Sequence, residues 1–293
     1  MGMAGVRFVK GHGTENDFVL LPDTAAQLDL TMARVKALCD RRKGLGADGV
    51  LRVVPTASHP AAQAQAQAQV APWFMDHYNA DGSTAEMCGN GVRLFVRHLL
   101  DEGLADGPTV TVATRGGPRT VWVDSTDGAA PGDLAVDLGL ASQPVAATKP
   151  IVTVGHLTWP ATAVLLPNPH AVVFVDSLSA AGALATKPEV SPPEVFPDGV
   201  NVEFVADVAA AHVAMRVYER GVGETRSCGT GACAAAWAAR RRPGVAPAAT
   251  WTVDVPGGRL RVTERNDGHL VLAGPAAVVA TGTLSDNWWE QNR

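Results

Sequence analysis

An α/β chain folded as two similar lobes is expected on three grounds. With 293 residues the chain exceeds an ordinary single domain and suits two of about 150 residues, each with its own core. Short apolar runs bounded by turn formers mix with longer runs of helical character. A near-duplicate motif also stands once in each half, Met87-Cys88-Gly89-Asn90-Gly91 and Ser227-Cys228-Gly229-Thr230-Gly231, and each copy leads into a helix-like run.

Taken in order, residues 6–21 read as strand, turn and strand, with Gly11-His12-Gly13-Thr14 as the turn. A helix is expected over 31–42 and a strand over 49–54. Between them Gly44-Leu45-Gly46-Ala47-Asp48-Gly49 fits the G-x-G-x-x-G pattern. A dinucleotide fingerprint must follow a strand and open a helix; this one does the reverse, so it reads as a tight connection. The Ala/Gln repeat over 60–69 has nothing to hold a core and reads as a flexible, dispensable insertion. A strand over 73–78, a polar turn over 79–83 and a helix from about Ala85 follow, with Cys88 in its first turns or just before it. Strands are expected over 109–113 and 120–124. Turn formers crowd residues 128–132, the best linker. The second lobe repeats the order, with strands over 163–166 and 171–176 around the turn Pro167-Asn168-Pro169-His170, then 201–205 and 212–218. The lobes are therefore residues 1–131 and 132–275.

Hydrophobic residues make up 46% of the chain, charged residues 18%, and the net charge is -5, an ordinary globular balance that argues against nucleic acid as a partner. Arg240-Arg241-Arg242 closes an alanine-rich helix, where cations complement the dipole, so it receives a structural reading. No apolar stretch reaches the roughly 20 residues that span a bilayer, and residues 1–10 lack a signal-like apolar core. No membrane partner and a cytoplasmic location are expected. Four cysteines, Cys39, Cys88, Cys228 and Cys233, are too sparse for a disulfide scaffold. Cys39 and Cys233 read as small core residues. Cys228 and Cys233 point to different faces of one helix, which excludes a zinc pair, and no metal is expected.

The duplicated thiols carry the chemistry. Each should lie at a helix N-terminus, where unpaired N–H groups and the macrodipole favour thiolate and the glycines let a ligand approach the backbone. One thiolate and one thiol on opposite faces of a carbon can remove a proton from one side and return one to the other, inverting the centre. Two helix N-termini would supply fixed donors for the developing charge. Such a site needs no metal and no organic cofactor.

Asn79-Ala-Asp-Gly-Ser-x-Ala-x-Met-Cys88-Gly-Asn-Gly and Glu219-Arg220-Gly-x-Gly-Glu-Thr-x-x-Cys228-Gly-Thr-Gly resemble the signatures of the diaminopimelate epimerase family. The segment from Gly13 to Phe18, Asn168-Pro-His170 and Asn201 match its other blocks in order. The resemblance covers essentially the whole chain. It implies interconversion of LL- and meso-diaminopimelate without pyridoxal phosphate, in lysine and peptidoglycan-precursor synthesis. It further implies two pseudo-symmetric lobes, each a curved, mostly antiparallel sheet around a central helix, with residues 276–293 returning a last strand to the first lobe. Cys88 and Cys228 become the acid/base pair. Backbone N–H groups around Gly89-Asn90 and Gly229-Thr230 would receive the reacting carboxylate. Asn16, Asn79, Asn168, Asn201 and Arg220 would grip the distal amino-acid end, since asparagine donates and accepts and arginine pairs a carboxylate bidentately. His170 and Glu219 would tune the thiols. The expected partners are a small-molecule substrate and a second copy of the chain in a homodimer.

The chain departs from the family at Gly49, where some members carry glutamine, and in the Ala/Gln insertion. The rival readings are a proline- or histidine-type racemase using the same thiols, a non-catalytic binding protein and a thiol-redox protein. Proline has no second amino-acid end for Arg220 and four asparagines to hold. Redox pairs usually sit close together as C-x-x-C, unlike Cys88 and Cys228.

Overall fold

The computed structural model describes residues 5–64, 67–123, 132–144 and 149–293. The chain divides into two compact units, Met1–Val136 with Pro275–Arg293, and Asp137–Gly274.

In the first unit β1 (Arg7–Gly13) and β2 (Asn16–Pro22) form an antiparallel hairpin. Its reversal lies at Thr14 and Glu15, later than the sequence suggested, because these two residues take the left-handed φ values of 50° and 61° that a two-residue turn of matching twist requires. Helix α1 (Met32–Cys39) is capped by Thr31, whose side chain accepts the Arg34 N–H. It stops short of Arg42 because Asp40 is extended and its Oδ1 takes the N–H groups of Arg42 and Lys43 at 2.8 and 2.9 Å. The glycine block after it is indeed a tight connection: Gly46 has φ 69°, and the N–H groups of Gly46 and Ala47 return to the carbonyls of Leu38 and Cys39. Strand β3 (Gly49–Pro55) then runs parallel to β2.

The Ala/Gln segment is not the coreless insertion its composition suggested. Helix α2 (Pro60–Ala64) stands between 3-10 turns at Thr56–Ser58 and Gln67–Gln69, with residues 65 and 66 outside the described residues. Ala62 is fully buried against Val54, Ala71, Phe74 and Ala113. Gln67, also buried, brackets the backbone of Thr114: its Nε2 donates to the Thr114 carbonyl at 2.9 Å and its Oε1 accepts the Thr114 N–H at 3.1 Å. Small alanines fit a narrow gap, and one amide satisfies two buried backbone groups. Gln67→Ala should therefore cost about 1–3 kcal/mol, since both groups lose their partner. A thermal melt that does not move would restore the insertion reading.

Strand β4 (Trp73–Asn79) lies antiparallel to β3, and helix α3 (Gly89–Asp101) has Cys88 at its N-cap. The helix starts later than Ala85 because the Ala85 N–H bonds to the His77 carbonyl and Thr84 bridges to Tyr78, which holds this stretch along β4. Gly11 and Gly13 belong to β1 and serve the packing of α3: a Cβ on Gly11 would lie 2.5 Å from Leu94 Cδ1, and one on Gly13 2.9 Å from the Asn90 carbonyl. Strands β5 (Thr109–Val112), β6 (Arg119–Val123) and β7 (Leu134–Leu140) form a meander. Asp124 and residues 128–131 of the expected linker lie outside the described residues, and the boundary between the units falls within β7.

The second unit contains β8 (Ile151–Val154), β9 (Leu157–Leu166), β10 (Asn168–Phe174), β11 (Glu189–Ser191), β12 (Asn201–Ala209), β13 (His212–Glu219) and β14 (Gly223–Thr225). Helix α4 (Gly229–Arg240), β15 (Thr250–Val255), β16 (Gly258–Glu264) and β17 (His269–Gly274) complete it. Its sheet runs β8-β9-β10-β12-β13-β15-β16-β17, with β11 on β8 and β14 on β13. Pairing is antiparallel except for β10 with β12 and β13 with β15. Asn168, Pro169 and His170 are strand residues rather than turn residues, because Asn168 already pairs with Leu166 across the reversal at Pro167. Helix α4 packs across most of these strands, and its alanines let the sheet come close. At its end Arg240 and Arg241 share Glu264 while Arg242 pairs with Asp207, which is the structural role expected of that triplet.

The chain then returns to the first unit. Strand β18 (Ala277–Thr283) lies antiparallel to β1, giving the order β18-β1-β2-β3-β4, and in α5 (Asp286–Gln291) the ring of Trp289 stacks on the buried Arg34 guanidinium. Both units share one plan: an antiparallel pair, a parallel neighbour, another antiparallel strand, then a central helix led by cysteine. No helix among the described residues is long and apolar enough to cross a membrane.

Candidate active site

In the first unit Cys88 is half-buried, with the extended backbone of an N-cap, φ -140° and ψ 122°. Its Sγ lies 3.5 Å from Asn16 Oδ1 at the start of β2. That oxygen also accepts Asn90 Nδ2 at 3.2 Å, while Asn16 Nδ2 donates to Asp48 Oδ2 at 2.8 Å. A carboxylate only accepts, so Asp48 fixes the amide orientation and aims its oxygen at Cys88. Arg41 bridges Asp48 at 2.8 Å to Asp17 at 2.7 Å, and Lys10 also bonds Asp17. Burial alone would raise the Asp17 carboxyl, but the hydrogen bonds from Arg41 and Lys10 outweigh it and hold it below its ordinary range.

Asn90 is fully buried and accepts Arg93 Nη2 at 3.0 Å, so its side chain braces the first turn of α3. Asn79 ends β4 opposite Gly49, exposed, with its Nδ2 on Ser83 Oγ at 3.0 Å. At Gly49 a Cβ would stand 2.6 Å from the Tyr78 carbonyl, so here the backbones approach too closely for any side chain.

In the second unit Cys228 is the N-cap of α4, and its Sγ accepts the Gly231 N–H at 3.4 Å and lies 3.6 Å from Thr230 Oγ1. The helix N-terminus was expected to favour thiolate. Burial, then Glu219 and Glu203, instead push this thiol well above its ordinary value, against the smaller help of Thr230 and the Gly231 N–H. Glu219, at the end of β13, accepts the Thr225 hydroxyl. His170 on β10 is fully buried, its Nδ1 2.7 Å from Glu203 Oε1 and its Nε2 3.0 Å from Asn168 Oδ1. Asn201 Oδ1 accepts the backbone N–H of Arg220 at 2.8 Å, and the exposed Arg220 guanidinium donates to the Asp198 carbonyl at 2.9 Å.

Each unit thus gathers its own share of the expected residues: Cys88, Gly89, Asn90 and Asn16 in one, and Cys228, Gly229, Thr230 and Glu219 with the Asn168–His170 and Asn201–Arg220 pairs in the other. Cys39 and Cys233 are buried, and burial pushes Cys39 up to about 12. Sequence reading missed Asp48, hidden in a glycine block read only as a connection, and Glu203, whose signal was an acidic residue inside the apolar, buried start of β12. Chemically, a sulfur beside backbone N–H groups at a helix start can exchange a proton with a carbon acid and hold the charge that develops.

The sequence model of diaminopimelate epimerase matches residues 8–143 and 162–279. The chain belongs to this family. It is 53% identical over 290 residues to the diaminopimelate epimerase of Streptomyces coelicolor, covering 97% of each chain. It is 48% identical to that of Mycobacterium tuberculosis, over 96% of this chain and 98% of the relative. Among solved structures, a hydroxyproline epimerase from Agrobacterium vitis with bound trans-4-hydroxy-L-proline superposes with a TM-score of 0.62 at 16% identity, over 96% of this chain and 93% of that one. At that identity the likeness is one of fold.

Proposed function

We infer that the protein is an isomerase that interconverts LL- and meso-2,6-diaminopimelate by proton transfer at an α-carbon. The observation that carries this reading is the pair of cysteines, each capping the central helix of its unit, in a chain 53% identical along nearly its full length to a diaminopimelate epimerase. In the proposed cycle one sulfur, as thiolate, takes the α-proton, so that S–H forms as C–H breaks. The electron pair passes into the carboxylate, and the other sulfur, as thiol, delivers its proton to the opposite face. The two cysteines leave the cycle with their roles exchanged, ready for the reverse reaction.

Cys88 and Cys228 are assigned as this pair. The N–H groups around Gly89-Asn90 and Gly229-Thr230 receive the reacting carboxylate. Asn16, Asn79, Asn168, Asn201 and Arg220 hold the distal amino-acid end, with Asn201 setting the backbone of Arg220 through the hydrogen bond described above. His170 and Glu219 tune Cys228. The reaction is placed in the cytoplasm.

The test is turnover of LL-diaminopimelate by purified protein in deuterated buffer without added cofactor. Each inversion should leave solvent deuterium at the new α-centre, and deuterium should enter remaining substrate more slowly. Inversion without solvent label would sink the two-thiol mechanism; turnover of proline but not of diaminopimelate would sink the substrate assignment.

A further inference from the structure

The units share a strand plan but differ in the chemistry beneath their thiols. In the parallel pair β2/β3, Phe18 stands opposite Gly49 and Leu20 opposite Leu51; in β10/β12, His170 stands opposite Asn201 and Val172 opposite Glu203. His170 and Glu203 therefore occupy the positions that Phe18 and Leu51 hold in the first unit. The glycines of the duplicated motif register the exchange. A Cβ at Gly91 would meet Leu51 at 3.4 Å and Phe18 at 3.5 Å, whereas one at Gly231 would meet Glu203 Oε1 at 2.8 Å and Cys228 Sγ at 3.3 Å. An apolar pair thus underlies the helix start at Cys88, and an acid–base pair underlies the one at Cys228.

The acid–base pair is an expensive choice. Glu203 and His170 are both 0% exposed, and Glu203 Oε2 has no hydrogen-bond partner among the described residues. Burying a carboxylate oxygen unsatisfied costs stability, and the fold does not require it, since leucine fills the matching register in the first unit. A buried charge close to a sulfur acts through a low dielectric.

Resting on the two-thiol reading, we propose that Glu203 is a positioning residue that helps make the matched cysteines unequal, its buried carboxylate acting with burial and Glu219 to keep Cys228 as the thiol between turnovers and leave Cys88 to act first as base. The groups that face Cys228 are Glu219 from β13, Glu203 from β12 with His170 from β10 behind it, and Thr230 and the Gly231 N–H from α4. On β15 and β16, Asp254 is engaged with Arg259 and His212, and Glu264 with Arg240 and Arg241.

The test needs no substrate. Resting wild-type protein and Glu203→Gln are treated with iodoacetamide at one mildly alkaline pH, and alkylation of each cysteine is followed by peptide mass spectrometry. Glutamine keeps the volume and removes the charge, so Cys228 should alkylate about ten-fold faster while Cys88 is unchanged. Glu203→Leu, which copies the first unit, should move Cys228 the same way and serves if the glutamine variant does not fold. An unchanged Cys228 rate overturns the proposal, and so does a rise shared equally by Cys39 and Cys88, which would report loosened structure. Wild-type activity on diaminopimelate is measured separately, so failure of the reaction assignment is distinguishable from failure of this one.

Discussion

Alanine at either Cys88 or Cys228 is expected to lower epimerisation by about 10³-fold or more, because positioned general acid or base groups are each worth roughly 10²–10⁴-fold and inversion needs one on each face. Neither single variant should lose its fold. Cys88 makes no side-chain cap hydrogen bond, and Cys228 contributes its long contacts with the Gly231 N–H at 3.4 Å and Thr230 Oγ1 at 3.6 Å. Loss of such a cap costs about 1 kcal/mol or less. On the two-thiol reading the variants should differ from a general poisoning of the site in one respect: the remaining sulfur would still face one side of the carbon. Each variant should therefore retain slow exchange of the α-hydrogen with solvent for the stereoisomer that presents its hydrogen to that sulfur, without inversion. One fully active single variant, in a coupled assay with matched circular dichroism, would refute the division of labour between the cysteines.

The parts of the fold that follow local rules were legible in the sequence. The start of a helix near Thr31, short apolar runs as strands, and the arginine triplet as a helix terminus all depend on residues close in the chain. The errors arose where distant residues decide. Gly11 and Gly13 read as a turn, yet they are small because Leu94 and Asn90 press on them. Ala62 and Gln67 read as filler because their partners come from later in the chain, Phe74 from β4 and Thr114 from the turn after β5. The site divides in the same way. The duplicated cysteines were visible because a helix N-cap is a local feature, and the surrounding residues were named by resemblance to a family. Asp48 and Glu203 escaped notice because their importance lies in what they touch: an amide whose orientation must be fixed, and a histidine on a neighbouring strand. The expectation of a thiolate-favouring helix start at Cys228 failed for a related reason, since the dipole can be read from sequence whereas burial and two facing carboxylates cannot.

The second large effect is expected at Asp76 in β4. This carboxylate is 0% exposed and gathers Arg115, Arg52 at 3.8 Å, His59 Nε2 at 3.5 Å and the Tyr78 hydroxyl at 3.0 Å. Arg115 also donates to the His77 carbonyl at 3.2 Å, and the next residue, Gly116, gives its N–H to the Glu86 carbonyl at 3.0 Å. The network thereby ties β4 to the stretch that leads into Cys88. Removing one member of a buried charged cluster strands the others, typically at 3–5 kcal/mol. Arg52 and Arg115 keep 15% and 19% of their side chains exposed and can turn partly to water, so Asp76→Asn should cost about 3 kcal/mol and lower the melting midpoint by roughly 6–12 °C. The pH dependence has a definite sign. Burial would raise Asp76, but His59 and Arg115 overcome it and hold the folded carboxyl below its ordinary value. The stability it confers is therefore complete above the unfolded value of about 3.9 and is lost as the pH falls through the folded one. The gap between wild type and Asp76→Asn should accordingly be widest near neutrality and close in acid. Equal melting midpoints at neutral pH, or a gap that widens on acidification, would show that the arginines and not Asp76 carry the network.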